Sequence, residues 1–161
     1  MRPYALNSRV LELYAGTGRF GMALMEEGIQ MITWVESHKK LCQDLQMRAC
    51  RIKQDVGAHF VIRCQKVERF LSRATSDRLS FDLVFADPPF HYWGSVYANW
   101  LFTHVREVIV PLGIFLVKHP TQMVACPGLS GFHLFKVNRL GDSTVSLFRY
   151  EGEASTADTG A

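Results

Sequence analysis

The chain has 161 residues, of which 48% are hydrophobic and 20% charged, and its formal net charge is +3. That length and balance fit one globular domain with a sizeable core. Apolar runs such as 108–117 are short and broken by Pro111 and Gly113, so none matches a membrane-spanning helix, and the N-terminus lacks the charged-then-apolar pattern of an export signal.

Cys42, Cys50, Cys64 and Cys126 show no C-x-x-C spacing. Without an export signal they read as reduced thiols, with no metal site and a cytoplasmic location expected. Charge is unevenly spread. The stretch 151–161 holds Glu151, Glu153 and Asp158 and no base, whereas ten Lys and Arg residues lie between Lys39 and Arg78 against four acids. Such a basic stripe suits a polyanionic partner, and equally a solvated helix face.

In chain order, Val10–Tyr14 predicts a first strand, followed at once by the glycine-rich Ala15–Gly21. A helix over 20–27 is expected to stop at Gly28. Met31–Val35 predicts a second strand ending at Glu36, and 39–52 an amphipathic helix with Leu41, Leu45, Arg48 and Ala49 at helical spacing. His59–Ile62 gives a third strand, and Val67, Phe70 and Leu71 fit the face of a short helix. Phe81–Ala86 is a fourth strand. A helix over 95–110 would turn Val96, Trp100, Leu101, His104, Val105 and Val108 to one side, and Gly113–Lys118 forms a fifth strand. Phe132–Leu140 and Thr144–Tyr150 read as two strands joined through Gly141-Asp142, a hairpin-type turn. Alternating strands and helices predict an α/β fold: a mostly parallel seven-stranded sheet, helices on both faces, and a C-terminal antiparallel hairpin. Residues 1–150 form the expected single domain and 151–161 a flexible tail.

Two loops carry the chemistry. Gly16-x-Gly18-x-x-Gly21 stands between a strand and a helix, where glycines let a ligand approach the backbone and let the helix pack on the sheet. Glu36, at the end of the second strand, is placed to hold ribose hydroxyls. A nucleoside-bearing cofactor follows, either a nicotinamide dinucleotide or S-adenosyl-L-methionine. Glu12 favours the latter, because a carboxylate there would repel a pyrophosphate and attract an ammonium or sulfonium. The second loop is Asp87-Pro88-Pro89-Phe90, directly after the fourth strand. Two prolines stiffen it in an extended form. The Asp87 carboxylate and Pro88 carbonyl make two fixed acceptors beside the Phe90 ring, a receptor for a planar amino group, with His91 and Tyr92 as auxiliary contacts.

With these motifs in view, the chain resembles the class I methyltransferases that act on amino nitrogens, and more narrowly the RsmD-type 16S rRNA guanine-N2 methyltransferases. The resemblance runs over roughly residues 9–151 and rests on the stretches 10–21, 35–36, 81–90 and 141–151. It implies a Rossmann-like class I methyltransferase fold and methyl transfer from S-adenosyl-L-methionine to a guanine N2 in 16S rRNA or a small-subunit assembly intermediate, by a monomer. Carried onto this chain, Asp87, Pro88, Pro89 and Phe90 are the catalytic set. Glu12, Tyr14, Ala15, Gly16, Thr17, Gly18, Gly21, Glu36, Gln65, Lys66, Val67 and Asp87 are the cofactor-binding set. Two departures stand out. Family members usually have a hairpin and helix before the first strand, where this chain has Met1–Ser8, so a late start or a shortened variant is expected. They also tend to have an acid after the third strand facing the adenine amino group, where this chain has Cys64-Gln65-Lys66-Val67; the Gln65 side-chain oxygen can accept that bond. Competing readings are a DNA adenine or protein glutamine amino-methyltransferase, and a non-catalytic RNA-binding module.

Overall fold

Seven strands, β1 (Arg9–Leu13), β2 (Met31–Glu36), β3 (His59–Cys64), β4 (Phe81–Ala86), β5 (Ile109–Pro120), β6 (Phe132–Leu140) and β7 (Ser143–Tyr150), make one sheet in the order β3-β2-β1-β4-β5-β7-β6. The structure, a computed structural model, describes residues 7–123 and 131–152, without the side chains of 54–56. Residues 1–6, Cys126 and the tail from 153 onward lie outside the described residues. β3, β2, β1, β4 and β5 are parallel, and β7 inserts antiparallel between β5 and β6. The expected α/β sheet with its closing hairpin is what forms.

Four helices cover it: α1 (Arg19–Glu26), α2 (Lys39–Val56), α3 (Val67–Ser76) and α4 (Ser95–Arg106). Successive strand residues point to opposite faces. Val10, Ile32, Trp34, Leu83 and Leu116 therefore pack with Met22, Met25, Leu45 and Ala49 of α1 and α2. Their neighbours Leu11, Leu13, Val35, Val84 and Val117 pack with Phe70, Leu71, Leu101 and Val105 of α3 and α4. Cover on both faces explains why β1 and β2 are buried along nearly their whole length without alternation, Glu12 and Thr33 included. The hairpin is pinned to this core by rings: Phe102 meets Phe115, Phe132 and Phe148 edge-on at centroid distances of 5.0, 5.2 and 4.9 Å. Such pairs add about 0.5–1.5 kcal/mol each beyond area burial. α1 and α2 pack on β1, β2 and β3. The same face of β4, β5, β7 and β6 forms an open groove lined by Phe20, Phe85, Leu116, Phe135 and Leu147.

Several boundaries differ from the sequence expectation. The helix expected to reach Val110 ends at Arg106, and Ile109 and Val110 already belong to β5. Phe81 pairs with Ile109 but Leu83 pairs with Ile114, so a bulge takes up the extra residues, with Leu112 at φ 66°. Val96 is 83% exposed, and the buried face of α4 is Ala98, Leu101, Phe102 and Val105. α2 runs past Ile52 to Val56, where Gly57 at φ 72° donates its N–H to the Lys53 carbonyl and stops it. At the end of β7, Glu151, expected in the tail, is held: its N–H donates to the Gly131 carbonyl at 2.8 Å.

Candidate active site

The strand order reverses between β1 and β4, and an open α/β sheet keeps its binding crevice beyond the carboxyl ends of its strands at such a point. Backbone hydrogen bonds tie the ends together there: Ala15 N–H to the Val35 carbonyl at 3.1 Å and Gln65 N–H to the Glu36 carbonyl at 2.9 Å. Above them opens a cavity of about 690 Å³. It brings together Tyr14, Glu36, Gln65, Lys66, Val67, Asp87, Pro88, Pro89 and Phe90 of the expected site residues, together with Tyr92. Val35, Ser37, Glu68 and Lys118, which sequence reasoning did not single out, also line it. Glu12, Ala15, Gly16, Thr17, Gly18 and Gly21 are not on its wall.

The glycine loop turns sharply because three of its residues are left-handed: Tyr14 (φ 56°), Gly16 (φ 55°) and Gly18 (φ 68°), the last capping α1. The glycines serve different ends. A Cβ on Gly16 would meet nothing nearer than the Tyr14 carbonyl at 4.0 Å, so a ligand has room to approach. A Cβ on Gly18 or Gly21 would strike Leu45 or Ile32, and Trp34 in both cases. These two let α1 lie close on the sheet. Thr17 is exposed, and its carbonyl accepts from Arg48 Nη1 at 2.8 Å.

Glu36 fastens this loop to β2. Its Oε2 accepts the Gly16 N–H and its Oε1 the His38 N–H, both at 2.8 Å. A carboxylate has about four acceptor sites, so two remain for ligand hydroxyls. This end of the cavity thus offers acceptors at Glu36 and an edge formed by Gln65, Lys66 and Val67, with Gly16 behind Glu36.

Glu12 is placed differently from its expected role beside a cationic cofactor. It is 3% exposed, and its Oε2 accepts both the Gly21 N–H at 2.8 Å and the Trp34 Nε1–H at 2.7 Å. It braces the glycine loop from beneath. Burial pushes its pKa up to about 7, against the pull of those two hydrogen bonds, with the charge of Asp87 adding to the rise.

At the other end of the cavity, Pro88 is buried while Phe90 and Tyr92 are 46% and 41% exposed. The Pro89 carbonyl accepts the Tyr92 N–H at 2.9 Å, closing a 3-10 turn over Phe90–Tyr92. The Pro88 carbonyl accepts no hydrogen bond among the described residues. Asp87 Oδ2 takes an ion pair from Lys118 Nζ at 3.0 Å, leaving Oδ1 with no hydrogen-bond partner among the described residues. The Tyr97 and Tyr14 hydroxyls are 2.6 Å apart. Burial drives both phenols above their usual pKa, so both stay protonated.

The basic stretch does not form one track. Exposed Arg48 and Arg51 ride α2 on one face of the sheet, exposed Arg69 and Arg73 ride α3 on the other, and Lys66 reaches the cavity. Cys42, Cys50 and Cys64 are free thiols, with burial pushing Cys42 up to about 12. Among the described residues no three His, Cys, Asp or Glu side chains gather as a metal site, and no helix is long and apolar enough to cross a membrane.

Comparison with known proteins agrees with this geometry. The family described as conserved hypothetical protein 95 matches residues 1–149. The ribosomal RNA small subunit methyltransferase D of Haemophilus influenzae is 28% identical over 92 residues, 57% of this chain and 47% of that protein. The chain thus spans about half the length of that curated relative. Among solved structures, a conserved hypothetical protein of Streptococcus pyogenes superposes with a TM-score of 0.76 at 21% identity, over 94% of this chain and 91% of the other. The candidate methyltransferase yhhF of Escherichia coli gives 0.75 at 18% identity, over 94% and 80%. SMU.776, a candidate methyltransferase complexed with SAH, gives 0.76 at 16% identity, over 90% and 46%. With the family match running over residues 1–149, the chain belongs to the conserved hypothetical protein 95 family, the RsmD family, and has a Rossmann-like fold.

Proposed function

We propose that this chain is an S-adenosyl-L-methionine-dependent methyltransferase acting on the exocyclic N2 of a guanine in 16S rRNA, in the cytoplasm. The observation that carries the reading is the pairing of two ends in one cavity. Glu36 and Gln65 fit a nucleoside, and Asp87 and the free Pro88 carbonyl fit an amino group beside the exposed Phe90 ring. The names of the methyltransferase relatives point the same way. The reading takes the protein to act as a monomer.

Bound at the Glu36 end, S-adenosyl-L-methionine supplies an electrophilic methyl group on a sulfonium. The residues of this chain do the rest by positioning. A guanine amine is a weak nucleophile because its lone pair is delocalised into the base. Asp87 Oδ1 and the Pro88 carbonyl accept its two N–H bonds and turn the lone pair toward the methyl carbon. As the N–C bond forms and the S–C bond breaks, one amine proton passes to Asp87 and then to solvent. Alignment of this kind supplies on the order of 7–11 kcal/mol of the barrier in well-oriented systems. Phe90 stacks on the base, which must first leave its helix. Gln65 accepts from the adenine amino group, and Tyr14, Lys66 and Val67 complete the cofactor's wall. Gly16 and its neighbours Ala15, Thr17 and Gly18 shape the loop that admits it, and Glu12 and Gly21 hold that loop on the sheet. Pro89 fixes the turn that presents Phe90.

The test is transfer of labelled methyl groups to small-subunit rRNA, to small-subunit particles and to duplex DNA in parallel, with nucleoside analysis of the product. N2-methylguanosine in one of the RNA samples is expected. Label in adenine of the DNA, or none anywhere from a sample that binds S-adenosylhomocysteine, would overturn the substrate assignment.

A further inference from the structure

β4 and β5 run parallel with Ala86 opposite Val117. The next residues along the two strands are Asp87, just past the end of β4, and Lys118, still within β5 and paired with Val145 of β7, and their Oδ2 and Nζ lie 3.0 Å apart. Both line the cavity and both are about one-third exposed, with side-chain exposures of 35% and 31%. An ion pair this wet contributes little to stability, and the backbone ladder already joins the two strands. The strand order sets β5 beyond β4 when viewed from β2 and β3. Lys118 thus stands on the far side of Asp87 from Glu36 and Gln65, in the half of the cavity left to the substrate. Its ammonium has three donors and no acceptor, and Asp87 is its one side-chain partner among the described residues.

We propose that Lys118 is a specificity-determining residue for the methyl acceptor. Asp87 accepts from the exocyclic amine while Lys118 donates to the ring nitrogen next to it. An acceptor and a donor 3.0 Å apart on the protein match a donor and an acceptor two bonds apart on a base edge. In guanine these are N2 and N3; adenine N6 and N1 and cytosine N4 and N3 offer the same pair, so the contact selects an amine flanked by an acceptor. A backbone phosphate lies too far from the amine for both contacts to form at once. A primary amine with no acceptor beside it leaves Lys118 without a ligand partner. This inference rests on the guanine-N2 reading above and adds the residue that reads the acceptor beside the amine.

The test uses the full chain and RNA carrying either guanine or 3-deazaguanine at the methylated position. Wild type, Lys118→Met and Lys118→Arg are compared in kcat/KM on both RNAs, and in affinity for S-adenosylhomocysteine by calorimetry. Wild type is expected to prefer guanine roughly tenfold to a hundredfold, the range for a hydrogen bond from a charged donor. Lys118→Met is expected to lose that much on guanine and to treat the two RNAs alike, with cofactor-product affinity unchanged. Lys118→Arg, which retains donors, keeps part of the preference. A Lys118→Met enzyme as selective as wild type overturns the proposal while the guanine-N2 reading survives. So does a parallel loss of cofactor-product binding, which would mark Lys118 as a builder of the pocket. A wild type that methylates no guanine overturns both.

Discussion

Glu36 and Gly16 are twenty residues apart and joined by one hydrogen bond, Gly16 N–H to Glu36 Oε2 at 2.8 Å. That contact makes the end of β2 and the loop after β1 a single wall. Glu36→Ala removes the ligand acceptors and the brace together. Affinity for S-adenosylhomocysteine is expected to fall roughly tenfold to a hundredfold in calorimetric titration. An unchanged affinity would remove Glu36 from the cofactor site.

Asp87 stands at the other end of the cavity, so its removal should separate chemistry from cofactor binding. Asp87→Ala is expected to lower the methyl-transfer rate by about a hundredfold or more, while cofactor affinity stays close to wild type. Single-turnover kinetics with saturating RNA reads the first quantity and calorimetry the second. Substantial turnover in the variant would end the proposed role.

Phe90 is 46% exposed and packs little of its ring into the core. Phe90→Leu is expected to change stability by no more than about 0.5 kcal/mol. It should raise the KM for RNA roughly fivefold to a hundredfold, reflecting a lost stacking contact of about 1–3 kcal/mol. A drop in melting temperature without a change in KM would place Phe90 in the scaffold.

Glu12 makes stability depend on pH. Its folded pKa of about 7 lies above the usual 4.5, so the folded state holds a proton that the unfolded state releases. The contribution is fully present below about pH 4.5 and is lost as pH rises through 7, amounting to on the order of 3 kcal/mol. Urea unfolding at pH 5 and pH 8 measures it. Glu12→Gln, which still offers an oxygen to Gly21 and Trp34, is expected to flatten the dependence. An equal slope in the variant would assign it to other groups.

Gly21 is the tightest point between α1 and the sheet. A Cβ there would sit 2.6 Å from Trp34 Nε1 and 2.7 Å from Glu12 Oε2. Gly21→Ala is expected to destabilise by about 1–3 kcal/mol in urea unfolding, although the residue has an ordinary helical backbone. A neutral effect would mean the helix can shift freely.

Much of this could be read along the chain because the site is built at strand ends, and strand ends are local events. Phe81–Ala86 is apolar, β-rich and stopped by Asp-Pro-Pro, and β4 has those same limits. What escaped was set by pairing across the sheet. Lys118 reaches Asp87 only because β5 lies beside β4 in one particular register, and no spacing within either segment announces it. The run Val108-Ile109-Val110 satisfies a helical face as well as a strand. The bulge opposite Phe81 and Leu83 decided for the strand, a tertiary choice that overrides local pattern. Glu12 was recognised as unusual inside a strand. Its partners, though, are a tryptophan 22 residues away and a backbone amide, which charge arguments alone do not reveal.

β7, the last strand in sequence, lies inside the sheet between β5 and β6. During synthesis β6 leaves the ribosome before β7, its one neighbour in the sheet among the described residues. Its apolar residues Leu134, Val137 and Leu140 must wait, unpaired, for residues 143–150 to arrive. Completion of the sheet is thereby tied to completion of this stretch of translation. A nascent chain interrupted near residue 140 presents an unpaired strand, the kind of surface that chaperones and proteases recognise.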